Sequence, residues 1–174
     1  MIERDDELDP RVLDALANAL EPTAVPAPGL RARLFGTITG RERFLPFLDR
    51  LIALFDLPEE ETRREVDAIL DPDAEWEPML DGCSFRDFEG GPALGDAHAG
   101  LIRLQPGAVF PSHRHVGEER ILLLQGRVRD SEGNEYRAGD TIVSADGSAH
   151  DMLAIGDEEV IYAAVVVALE FSGE

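Results

Sequence analysis

The sequence predicts a mainly β protein, a sandwich or closed barrel of short strands, with an α-helical extension on its N-terminal side. Two observations carry this. From about Trp76 onward, runs rich in Ile, Val, Leu, Phe and Tyr are separated by Gly, Pro, Asp and Asn, the texture of many short strands joined by turns. Before Asp71, apolar residues recur instead at three- and four-residue spacing, the period of amphipathic helices. A chain of 174 residues, 44 % of them hydrophobic, supplies one domain with a real core and a modest extra element. The expected division is a helical region over 1–74, with a proline-rich linker near 21–29, and a β region over 75–174.

The helices come first. Asp9-Pro10 is a helix start, Asp as N-cap and Pro at the first helical position, and Val12, Leu16 and Leu20 follow on one face. Prolines 22, 26 and 28 force an extended link. Leu30, Leu34 and Ile38 mark a second short helix, which Gly40 breaks. Phe44, Phe47, Leu48, Leu51, Ile52 and Phe55 then form a strong amphipathic stripe, in which Pro46 is tolerable only in the first turn. Pro58-Glu59-Glu60-Glu61 opens another helix, with acids at the positive end of its dipole. Val66, Ile69 and Leu70 are its apolar face and Asp71-Pro72-Asp73 its stop.

An exposed apolar stripe is a liability, so Phe44, Leu48 and Leu51 are expected to pack within the chain or its dimer. The region 31–50 carries five arginines against two acids, and 56–77 ten acids against two arginines. That contrast could seat adjacent helices against each other or steer a partner.

Strands are expected over 83–88, 98–104, 118–124, 126–130, 141–143, 150–153 and 160–168, with turns at Glu132-Gly133-Asn134 and Ala138-Gly139-Asp140.

Charge excludes whole classes of function. The net charge is −20, all 16 cationic side chains are arginine, and 36 carboxylates oppose them. Such a surface repels nucleic acid and anionic membranes, and no apolar run reaches the roughly 18–20 residues of a membrane helix. The acidic start, Met-Ile-Glu-Arg-Asp-Asp-Glu, lacks the layout of a secretory signal, so the expected location is cytoplasmic. The single cysteine, Cys83, excludes an internal disulfide and a thiolate-rich zinc cluster. Between Asp81 and Asp87 it reads as a half-buried small residue at a strand start rather than a reactive thiol.

Chemistry concentrates in the histidines. His113 and His115 flank Arg114, so on an extended strand both point to one face. Glu119 shares that parity if the strand runs on without a bulge, while Glu118 lies on the opposite parity. Two His at i and i+2 plus a Glu four residues on supply one side of a metal cluster. The other side must come from a strand folded back across the barrel, and His150 is the strong candidate. His98, flanked by alanines, has no partner at such spacing. Arg103, Arg129 and Tyr162 either line the pocket or face solvent.

Gly107, His113, His115, Glu119 and Gly126 satisfy every spacing of the first cupin motif, G-x5-H-x-H-x3,4-E-x6-G. Gly139, Gly147 and His150 match the second, with Ala145 where proline is usual and Ala154 where asparagine is usual. The sequence thus resembles the cupin superfamily. The resemblance implies a double-stranded β-helix, a jelly-roll-like barrel, holding one divalent metal ion on His113, His115, Glu119 and His150. Zinc, iron, manganese and nickel all suit imidazole plus carboxylate.

The stretch from Pro106 to Glu119, with Leu124-Gln125-Gly126, Arg129-Asp130 and Asp146 to His150, is similar to the cupin domain of ChrR-type anti-sigma factors. Leu20 to Leu34 faintly resembles the proline-rich joint of those proteins. In that family an upstream helical zinc domain holds a sigma factor, but no His precedes His98 here and there is no Cys-x-x-Cys. The resemblance implies a regulatory or sensory module with a sigma factor as partner and a small-molecule ligand in the barrel. The alternative is a metal-dependent cupin enzyme, a dioxygenase, isomerase or decarboxylase. Cupins commonly dimerise, which implies a homodimer.

Overall fold

A computed structural model describes residues 40–171. The expected helices over Pro10–Leu20 and Leu30–Ile38, and the linker between them, lie outside the described residues. A 3-10 segment, Arg41–Phe47, contains Pro46 and leads into helix α1, Leu48–Phe55. Helix α2, Glu59–Asp67, begins after Pro58 with three glutamates in its first turn and tightens into a 3-10 turn, Ala68–Leu70.

Eleven strands follow: β1 Glu77–Leu80, β2 Cys83–Phe88, β3 His98–Leu104, β4 Val109–Val116, β5 Glu119–Gln125 and β6 Arg127–Asp130, then β7 Glu135–Arg137, β8 Thr141–Ser144, β9 Ala149–Ile155, β10 Val160–Val166 and β11 Ala168–Phe171. They form a six-stranded sheet, β1-β2-β3-β10-β5-β8, and a five-stranded sheet, β11-β4-β9-β6-β7. All pairings are antiparallel. The mainly β, jelly-roll-like fold with preceding helices is the one the sequence predicts. The run expected over 160–168 divides at Val167: β10 sits in one sheet and β11 in the other.

Two apolar clusters explain the arrangement. Between the sheets lie Leu104, Ile121, Leu123, Val160 and Tyr162 from one and Phe110, Val128 and Met152 from the other. The second cluster covers the outer face of the six-stranded sheet, where Phe44, Leu51, Phe55, Val66 and Ile69 meet Leu101, Leu122, Leu124, Ile161 and Ala163. Strands β5 and β10 are therefore buried on both faces, which is why they read as continuous apolar runs rather than alternating ones. Phe44, Leu48 and Leu51 are all buried within the chain.

Arginines fasten both helices to the sheets. Arg50 on α1 donates to the Gly139 carbonyl at 2.6 Å and to Thr141 Oγ1. Arg86 on β2 pairs with Glu65 of α2 at 3.2 Å. Among the described residues, α2's own arginines, Arg63 and Arg64, pair along the helix with Glu59 and Glu61.

Candidate metal centre

Strand β4 does not alternate simply. Its pairing with β9 is irregular between Phe110 and His113, where Pro111 offers no N–H to the ladder. The irregularity lets Phe110 and His113, three residues apart, both turn inward. Beyond it alternation resumes, with His113 and His115 buried and Ser112, Arg114 and Val116 exposed.

The strand then ends. Gly117, at φ 84°, and Glu118 carry the chain from the five-stranded sheet to β5 in the other. Glu119 thus faces the histidines from the opposite wall, and not by continued parity along one strand. His150 is likewise not across the barrel: it lies on β9, directly opposite His113 on the neighbouring strand. The four side chains converge as expected, but the two walls exchange contributions, because the chain changes sheets at Gly117.

The imidazoles of His113, His115 and His150 stand 4.7–4.9 Å apart by centroid, nearly perpendicular in each pair. Glu119 Oε2 lies 3.0 Å from His115 Nε2 and 3.6 Å from His150 Nε2. One ligand atom from each of the four residues falls within 4.8 Å of all the others, the one such group of three or more among the described residues.

Their hydrogen bonding is one-sided. His113 Nδ1 sits 2.8 Å from the Pro111 carbonyl, and His115 Nδ1 3.0 Å from both the carbonyl and Oγ of Ser148. Nδ1–H donates there, which leaves the Nε2 lone pairs aimed inward. The Nε2 atoms of all three histidines and Glu119 Oε2 are buried without a hydrogen-bond partner, His115 Nε2 included although Glu119 Oε2 lies 3.0 Å from it. Four orphaned buried atoms facing one point are costly unless something fills it. The donor set, three neutral imidazoles and a carboxylate, fits a divalent transition metal.

Burial sets the protonation. It pushes the Glu119 carboxyl up to about 7 and lowers His113 and His115 below the ordinary imidazole value. His150 falls to about 4, through burial and then the neighbouring His113 and His115.

The remaining candidates separate cleanly. Glu118 is exposed and pairs with Arg120, and His98 is exposed at the start of β3. Arg103 faces outward, stacked 4.0 Å over Trp76, donating to the Ile69 carbonyl and pairing with Glu159. Arg129 also faces outward, paired with Glu135 at 2.6 Å. Tyr162 alone of those three points into the barrel, fully buried. Cys83 is buried rather than half-buried, and burial raises its thiol to about 11, well away from thiolate chemistry. Pro111 and Ser148, which orient the imidazoles, carry no signal in the sequence as ligand partners.

The sequence model of the ChrR cupin-like domain matches residues 65–170. No curated protein matches. Among solved structures, a chain from the complex of Rhodobacter sphaeroides SigE with the anti-sigma ChrR is similar at 23 % identity and TM-score 0.54, over 90 % of this chain and 75 % of that one. An RmlC-like cupin protein from Ralstonia eutropha is similar at 21 % identity and TM-score 0.51, over 60 % and 71 %. An acetylacetone dioxygenase from Acinetobacter johnsonii is similar at 16 % identity and TM-score 0.50, over 60 % and 76 %. No helix among the described residues is long and apolar enough to cross a membrane.

Proposed function

Because this chain belongs to the ChrR cupin-like domain family, we propose that it is a regulatory metal-binding protein of the cytoplasm. One divalent ion is held by His113, His115, Glu119 and His150. The single observation that carries the metal is the set of four buried ligand atoms without partners, three of them on imidazoles and two of those imidazoles tied back through Nδ1. Bound there, the ion supplies a fixed positive charge between the two sheets, with open coordination positions for a small ligand. The chain divides near residue 74 into a helical part, described from Arg41 onward, and the barrel, and a change at the ion alters what the helical part contacts. The family match and the likeness to the chain from the SigE–ChrR complex support a sigma factor as the partner.

Elemental analysis of the full chain, purified without added metal, tests the core of this reading. About one ion per chain is expected. No ion, and no rise in melting temperature on adding zinc, manganese, nickel or iron(II), overturns it. A pull-down with purified sigma factor tests the regulatory half.

One observation favours a second reading. The acetylacetone dioxygenase likeness, together with a four-ligand site, suits an iron enzyme. Oxygen consumption with small diketones by iron-loaded protein that captures no sigma factor decides for it.

A further inference from the structure

The two sheets differ in what covers them. Helices α1 and α2 bury the outer face of the six-stranded sheet. The outward positions of the five-stranded sheet are exposed or half-buried across all five strands. One row on that face crosses four strands as Glu135, Arg129, Leu153 and Val109. The next crosses three as Arg137, Arg127 and Ile155. Val109 is 45 % exposed, and Leu153 and Ile155 are half-buried beside it.

Charge singles the face out. Its outward positions carry four arginines, Arg114, Arg127, Arg129 and Arg137, against three acids, Glu135, Asp151 and Glu170, in a chain whose net charge is −20. Two such chains repel across most of their surfaces, and here that repulsion falls away. The charges are also sorted along the strands. Arg127 stands directly opposite Arg137 at one end, an unfavourable like-charge pair, and neither has an ion-pair partner among the described residues. At the other end lie Asp151 and, in the turn after β6, the exposed Glu132.

We infer that this face is the contact between two copies of the chain, related by a two-fold axis lying across the strands near Leu153. Such an axis reverses strand direction, so Arg127 and Arg137 of one copy meet Asp151 and Glu132 of the other, twice over. Leu153, Ile155 and Val109 form the apolar centre. Five strands spaced about 4.8 Å apart, each rising about 3.4 Å per residue, make a face roughly 20 Å on a side. That is about 400 Å² per copy, below the roughly 800 Å² per partner of a standard interface, so the dimer is weak and reversible.

Sedimentation velocity of the metal-loaded full chain, across roughly 1–200 µM, tests this. A concentration-dependent dimer is expected. Leu153→Glu, Arg127→Glu and Glu132→Arg each weaken it by at least about tenfold. The double variant Arg127→Glu with Glu132→Arg regains most of the loss, since the exchanged charges meet across the axis. Val143→Glu, on the edge strand of the other sheet, leaves it unchanged. A monomer throughout that range overturns the inference, as does a dimer indifferent to Leu153→Glu or a double variant no better than its parents. A monomer in which Leu153→Cys resists thiol labelling also overturns it and assigns the face to residues 1–39.

Discussion

His113 and His150 stand directly opposite each other on β4 and β9, their rings 4.7 Å apart at 79°. Antiparallel pairing holds opposed Cβ atoms about 4.5–5.5 Å apart, so the sheet itself sets the spacing of these two candidate ligands. Glu119 comes from the facing sheet, so the candidate site forms only when the two sheets are packed. Metal binding and folding are therefore coupled, and an ion that binds the folded chain alone raises its melting temperature.

Replacing His113 or His150 by Ala removes a ligand and is expected to lower metal affinity by more than the ~10–100-fold that losing an outer-sphere partner costs. His98→Ala, on an exposed residue at the far start of β3, leaves affinity unchanged. Titration with competing chelators measures all three, and normal occupancy in His150→Ala removes that residue from the ligand set.

Gly117 tests the crossing between sheets. At φ 84° a side chain is strained, and a Cβ would sit 2.7 Å from Val167 Cγ2. Gly117→Ala is expected to cost about 1–3 kcal/mol in urea unfolding. It also weakens metal binding, because Gly117 sets Glu119 against the histidines. Unchanged affinity at lowered stability would show that the turn does not position Glu119.

Metal affinity is expected to fall as pH drops below about 7. The Glu119 carboxyl, raised by burial to about 7, must lose its proton to become a ligand, so binding releases one proton and weakens about tenfold per pH unit below that value. The histidines, held below their ordinary value, add little competition until lower pH, with His150 at about 4. Without metal the two groups with a stated value act oppositely on stability. Glu119 takes its proton more readily folded than unfolded, so it adds stability as pH falls from about 7 toward 4.5. His150 takes its proton more readily unfolded, so it removes stability from 6.5 toward about 4. These two largely offset each other. The lowered His113 and His115 also remove stability as pH falls below the ordinary imidazole value, and the metal-loaded protein therefore loses stability more steeply than the metal-free protein. Chemical denaturation of both forms from pH 5 to 8 checks this.

The helices are part of the barrel's core. Phe55 is fully buried, in edge-to-face contact with Phe88 at 4.9 Å. Phe55→Ala is expected to cost about 3–5 kcal/mol and Leu51→Ala about 2–5 kcal/mol. Both are read from urea midpoints, with metal stoichiometry retained in the variants that stay folded. A loss below 1 kcal/mol in both would mean that α1 contributes little to the sheet's stability.

The sequence by itself determined the class of the fold, the boundaries of β2, β3, β5, β6 and β8 to within a residue, and the four residues that converge, whereas β1, β4 and β7 were not among the runs it marked. Side-chain period and ligand spacing are local properties: His113 and His115 share a face because they are two apart on a strand, and the stripe from Phe44 to Phe55 must bury because it is apolar. What only the tertiary structure decided is which wall each ligand occupies. Pro111 breaks the β4–β9 register, Gly117 sends Glu119 to the opposite sheet, and pairing puts His150 beside His113. It also turned Arg103 and Arg129 outward and Tyr162 inward. Parity along one strand cannot foresee a change of sheet, since that depends on how distant strands pair, and a one-residue irregularity reverses every side chain after it.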